Sequence, residues 1–233
     1  MTNVETAVRD GVLRVRRPHT RWLSSGWRGG FSEGETAYNV AVPEGWTDTD
    51  LDGYIRARRD RAGFAESGPT LLTGVEMRHA RGARCGPVAA VATAGVSNPA
   101  ELPMDPDGSA DGGDESSRPG TVNVLLWTGR ALTDGALASL LALAAEAKAA
   151  TLLARVGVPG TTSDAAVVGC ERTGPPEAFA GSATEVGACA RACVREAVGA
   201  SLDARYPEGQ WPEGVEDAEY GVATTRRASL FEV

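Results

Sequence analysis

Between residues 133 and 169 the chain sets two charges inside an apolar stretch and follows them with a polar turn. Gly135 to Ala154 is built mainly of Ala and Leu, and its only charged side chains are Glu146 and Lys148. The 23 basic residues of the chain include a single lysine, Lys148. A run of this length reads as a helix buried all round, where an ionised group is costly unless it is paired or hydrogen-bonded. Two residues apart on a helix, side chains point about 200° from each other, so Glu146 and Lys148 do not pair together. Each is then half of a structural ion pair, a group reaching the wet end of the helix, or part of a site. The nearest polar partner is the turn Gly160-Thr161-Thr162-Ser163-Asp164, one short loop later.

The elements that must hold these groups follow from periodicity. Alternating or continuous β-branched runs predict strands near Val12 to Val15, Ala37 to Val42, Val88 to Thr93, Val122 to Trp127 and Ala165 to Val168. Helices are predicted over Thr49 to Arg61, Thr133 to Ala154 and Ser182 to Arg205. Thr133 is placed as an N-cap with Asp134 in the first turn, and Ser182-Ala183-Thr184-Glu185 has the capping-box pattern. Pro103 to Pro119 reads as an acidic solvated loop inside one domain of residues 12–204, and 205–233 as an irregular tail. The length suits one substantial core, giving an α/β or α+β domain of layered sheet and helices.

Composition narrows the partners. A net charge of -8 and a pI near 4.9 repel phosphate backbones, which argues against nucleic acid. A Glu and a Lys past the middle of an Ala-rich segment would each cost about 2.5 to 3.5 kcal/mol in a bilayer, so no membrane is expected. Cys85, Cys170, Cys189 and Cys193 form no Cys-x-x-Cys and have only His19 and His79 to help them, so no metal site is expected. Cys189 and Cys193, four apart on a helix, read as small buried thiols. With no signal-like N-terminus, the expectation is a reduced, cytoplasmic protein. Its oligomeric state is open.

Further polar groups fall at strand ends: Ser24, Ser25, Gly29 and Gly30 before the strand carrying Asn39, Asn98 closing another, and Asn123 interrupting an apolar one. Singly these are turn formers and satisfied backbone partners. Together they occupy loops where a scaffold presents polar groups to a ligand.

The residues resemble a known family. Leu23-Ser24-Ser25 with Gly29-Gly30, Asn39 before Val42-Pro43, Thr73-Gly74-Val75, Thr93-Ala94-Gly95-Val96-Ser97-Asn98, Thr121-Val122-Asn123, Glu146-Ala147-Lys148 and Gly160-Thr161-x-Ser163-Asp164 are similar, in order and spacing, to the adenosylcobinamide amidohydrolase family over about residues 12 to 204. The resemblance implies hydrolysis of the amide joining the corrin's propionyl arm to aminopropanol, with adenosylcobinamide as substrate, adenosylcobyric acid as product and no cofactor required. Two departures stand out. The family turn usually reads Gly-Thr-Gly-Thr-Asp, whereas Thr162 and Ser163 stand here, keeping hydroxyls and losing backbone freedom. Many members of the family also carry a His before the C-terminal helix, where this chain has Ala183 or Thr184.

A hydroxyl nucleophile needs a base, a group to orient that base, and donors for the oxyanion. Burial favours a neutral lysine and a protonated glutamate, the forms suited to base and acid work. The expected roles are therefore Ser163 or Thr161 as nucleophile or water-positioning hydroxyl, Asp164 as orienter, and Lys148 and Glu146 for proton transfer. Asn98 and Asn123 are expected as carbonyl or oxyanion donors, and Asn39, Ser24, Ser25, Gly29 and Gly30 as substrate-binding. The rival reading is a corrinoid- or metabolite-binding protein without hydrolytic activity, or an amidase of other specificity. A weaker resemblance joins Thr121 through Ala165 to self-processing serine aminopeptidases related to ornithine acetyltransferases. It implies an α-β-β-α architecture and marks Gly160-Thr161 as the bond to inspect for self-cleavage.

Overall fold

A long N-terminal strand that bends in the middle organises the molecule. The computed structural model describes residues 4–43, 46, 49–106, 122–212, 214–218 and 220–233. In chain order the elements are β1 (Glu5–Arg9), β2 (Val12–Ser24), β3 (Gly30–Ala41), α1 (Leu51–Arg61), β4 (Thr70–Thr73), β5 (Arg81–Cys85), β6 (Val88–Ala94), β7 (Pro99–Glu101), β8 (Val122–Ala131), α2 (Asp134–Val156), β9 (Gly160–Thr161), β10 (Ala165–Glu171), α3 (Glu185–Arg205) and β11 (Val222–Ala223). Thr121 and residues 107–119 of the acidic loop lie outside the described residues.

The large sheet runs β4-β3-β2-β10-β8-β6-β5, with β1 also on β2, and a small sheet runs β11-β7-β9. The pairing of β2 with β3 shifts register between Arg16 and Thr20, where His19 takes a φ of 54°, a strained conformation for a residue with a side chain. On one side of this bulge β2 pairs with β1, on the other with β10. Arg17, buried at the bend, reaches Glu171 of β10 at 2.9 Å. The sheet thus folds over on itself, bringing β4 against β8 and β10 although other strands separate them in the pairing order.

Three cores fill the resulting α-β-β-α stack. Leu13, Val15, Trp22, Leu71, Leu125, Trp127 and Val167 pack between the two leaves. Leu126 of β8 packs with Leu137, Leu140 and Leu152 of α2 and with Val194 and Leu202 of α3, each fully buried leucine worth about 1.5 to 3 kcal/mol. Val12, Tyr38, Val40 and Phe64 lie beneath α1. The layered α/β expectation holds.

Several local expectations shift. Thr133 caps α2 by accepting from Ala136 N at 3.3 Å, as the sequence indicates. The cap of α3 is Thr184, accepting from Gly187 N at 3.0 Å, so the cap sits two residues beyond Ser182. The α2 helix is long and apolar enough to cross a membrane, yet it lies on the sheet and is not buried all round: Ala138, Ala142, Ala145, Glu146, Ala150 and Leu153 face outward. Alanine is apolar but small, so it counts as core in a pattern while costing little at a surface. The domain begins earlier than residue 12, since β1 pairs with β2. The stretch 205–233 is not wholly irregular, because β11 extends the small sheet beside β7.

Candidate active site

The opposed directions of Glu146 and Lys148 on α2 decide what each does. Glu146 is exposed and pairs with Arg191 on α3. The outer face of the helix lies away from the polar turn, so Glu146, expected to take part in proton transfer, is not brought to the group around Asp164. Lys148 sits at the edge of the buried face formed by Leu140, Ala144, Ala147, Thr151 and Leu152. Only 14% of its side chain is exposed, and its Nζ meets Asp164 Oδ2 in an ion pair.

Asp164 is the hub. Its Oδ2 also accepts the backbone N–H of Thr161 at 3.0 Å, while Oδ1 accepts the Thr161 hydroxyl and the N–H of Val122 at 3.2 Å. One carboxylate thereby joins an amine from α2, a hydroxyl from β9 and the first residue of β8. The turn is further held by Asn98, whose Nδ2 donates to Thr162 Oγ1 at 2.6 Å and whose carbonyl accepts from Thr162 N at 3.2 Å. Neither Thr162 nor Ser163 adopts a positive φ, so their side chains cost no backbone strain. Thr162 instead gives Asn98 a partner. Ser163 is half-buried in the same turn.

Gly160 leaves room for the ion pair. A Cβ there would lie 2.8 Å from Lys148 Nζ and 2.7 Å from Asp164 Oδ2, closer than nonbonded atoms tolerate. Gly160→Ala is expected to lower stability by about 1 to 3 kcal/mol and to push the amine off the carboxylate. Thermal unfolding and a turnover assay on the same preparation check this; a variant as stable and active as the parent would show that the contact is not needed.

The asparagines of the strands bond to each other and to their neighbours. Asn123 Nδ2 donates to Asn39 Oδ1 at 2.9 Å and to the Leu72 carbonyl at 2.8 Å, and Asn39 Nδ2 donates to Thr93 Oγ1 at 2.8 Å. Both asparagines and Thr93 are fully buried between the leaves. Asn123, expected as an oxyanion donor, has both amide hydrogens committed within the protein, and Asn39, expected at the substrate, is fully buried. Their work is to join β3, β4, β6 and β8 beside the site, since unpaired amides there would be costly. The Thr93 partnership becomes readable only with the register that sets Thr93 opposite Asn123.

The remaining expected positions lie at the same end of the strands. Ser25 Oγ accepts Ala166 N at 2.9 Å, two residues past Asp164, and Ser24 Oγ accepts Gly26 N at 3.1 Å. Gly29 is forced by close approach, since a Cβ would sit 2.3 Å from the Ser24 carbonyl. Ser24 and Gly30 line a cleft of about 410 Å³ with Trp27, Phe31, Arg56 and Thr70. A larger groove of about 710 Å³ runs between α2 and α3 and includes none of Lys148, Thr161 or Asp164. Among the described residues, no three His, Cys, Asp or Glu side chains are grouped to hold a metal ion.

The fold is a layered α/β one, and at one end of its strands a carboxylate is shared by an amine and a hydroxyl. The family model for adenosylcobinamide amidohydrolase matches residues 2–210, and the chain belongs to that family. A Halobacterium salinarum protein named adenosylcobinamide amidohydrolase is 53% identical over 229 residues, covering 97% of this chain and 98% of its own. A Methanosarcina mazei protein of the same name is 28% identical over 193 residues, covering 78% of this chain and 90% of its own. Among solved structures, a Burkholderia sp. beta-aminopeptidase overlaps 88% of this chain and 82% of its own at 14% identity, with a TM-score of 0.43.

Proposed function

We propose that this chain hydrolyses adenosylcobinamide at the amide joining the corrin's propionyl arm to aminopropanol, releasing adenosylcobyric acid and aminopropanol for coenzyme B12 salvage. Family membership and the 53% identical relative of that name support the substrate. The observation that carries the chemistry is the Asp164 carboxylate, bonded at once to the Thr161 hydroxyl and the Lys148 amine.

In this reading the Thr161 hydroxyl attacks the amide carbon, the amine leaves, and water then cleaves the resulting ester to free the acid and the hydroxyl; or a water held by Thr161 and Ser163 attacks the amide directly and the amine leaves in the same sequence. Asp164 orients the hydroxyl and draws its proton, as a carboxylate in hydrogen-bond contact with a nucleophile does. Lys148, on the other oxygen of the same carboxylate, supplies a proton to the departing aminopropanol nitrogen. Asn98 holds the turn so that these groups keep their spacing, a positioning requirement that accounts for much of catalytic rate.

The test is product release. Purified chain mixed with adenosylcobinamide is expected to liberate aminopropanol in step with adenosylcobyric acid. Binding of the corrinoid without either product would leave a binding protein and overturn the hydrolytic reading.

A further inference from the structure

Away from the site, two thiols meet. Cys85 ends β5, at one edge of the large sheet, and its Sγ donates to Cys189 Sγ on α3 at 2.9 Å. The two residues are 104 positions apart in the chain, and both are half-buried and in the free thiol form. Cys193, one turn further along α3, is buried with its thiol turned to the Val88 carbonyl at 3.6 Å. Cys170 is fully buried in β10. Cys189, expected as a small buried thiol, is half-buried instead, and its partner comes from an edge strand that sequence spacing does not reveal.

We propose that Cys85 and Cys189 are a modification site, an oxidisable dithiol that a small disulfide such as oxidised glutathione closes into a bond fastening β5 to α3. Sulfurs in a disulfide lie about 2.05 Å apart, so the pair closes by a movement of about 1 Å. Closure takes two exchanges. One protein thiol loses its proton and attacks a sulfur of the oxidant, expelling a glutathione thiolate and leaving a mixed disulfide. The second protein thiolate attacks the protein sulfur of that mixed disulfide and expels the other glutathione. Two protein thiols are oxidised and one small disulfide is reduced to two thiols.

The hydrogen bond from Cys85, and then burial, pushes the Cys189 thiol up to about 11. Burial pushes Cys193 further, to about 12. Thiolate is scarce at neutral pH under these conditions, so closure speeds up as pH rises. Cys193, being buried and turned to a carbonyl, is the poorer competitor.

The experiment treats the full chain with oxidised glutathione at neutral and mildly alkaline pH. Reactive thiols in the denatured protein are expected to fall from the chain's four to two, faster at the higher pH. The intact mass drops by two hydrogens, and digestion yields one linked peptide pair containing Cys85 and Cys189. Dithiothreitol reverses all three changes. Cys85→Ser and Cys189→Ser each lose the link, whereas Cys170→Ser keeps it. Persistence of all four thiols, accumulation of mixed disulfides alone, or a link through Cys193 overturns the proposal.

Discussion

Asp164→Asn is expected to cost at least about 10²-fold in turnover and about 3 kcal/mol in stability. The carboxylate accepts four donors: Lys148 Nζ, the Thr161 N–H, the Thr161 hydroxyl and the Val122 N–H. An asparagine has a single acceptor oxygen. If that oxygen keeps Thr161 Oγ and Val122, its amide hydrogens face the Lys148 amine and the Thr161 N–H, donor against donor. The amine loses the acceptor that compensates its partial burial, which is the larger part of the stability loss. Thermal unfolding measures one arm and aminopropanol release the other. Near-parent turnover in a folded Asp164→Asn protein would remove the carboxylate from the chemistry.

The second large effect is expected at Lys148. Lys148→Arg and Lys148→Met should each reduce aminopropanol release about 10²-fold or more while leaving a folded protein. Arginine keeps the charge but does not exchange a proton in a protein. Methionine keeps the apolar stem and leaves Asp164 its three other donors, so its stability loss is the smaller one. Glu146→Gln serves as the reference, because Glu146 sits on the outer face against Arg191 and its loss should leave the rate unchanged. A folded Lys148→Arg that works at the parent rate would make the lysine a structural cation. A Glu146→Gln rate as low as that of Lys148→Met would put Glu146 back in the reaction.

These two residues also show how far the sequence could be read. Their spacing on a helix required them to point apart, and they do. A lone lysine in apolar surroundings next to a hydroxyl-rich turn was a readable signal because a partly buried amine must find an acceptor. Glu146 was misplaced because the alanines around it look like core, although alanine tells little about which face of a helix is wet. The strands flanking the site were legible where β-branched runs are long, as in β8 and β10. The short strands β4, β5, β7 and β9 were not, because a few residues carry no periodicity and their pairing is decided by distant partners. Asn39 and Asn123 illustrate the same limit. A polar residue in a strand declares that it needs a partner, but whether that partner is a ligand or another buried amide depends on how the sheet folds over.

The bend in β2 carries a consequence for how the chain is made. Ser25 bonds to Ala166, 141 positions later, so the second half of β2 leaves the ribosome well before the strand that completes it. Until β10 emerges, Thr20 to Ser24 has β3 on one side and an open row of backbone donors and acceptors on the other, with Trp22 and Leu23 still without their full packing. An unpaired apolar edge is a template for any other chain, and pairing at such separation is slow to form. The nascent protein is thus most exposed to self-association over the interval between the synthesis of its second strand and its tenth, and the strand that shields it is the one that follows directly on Asp164.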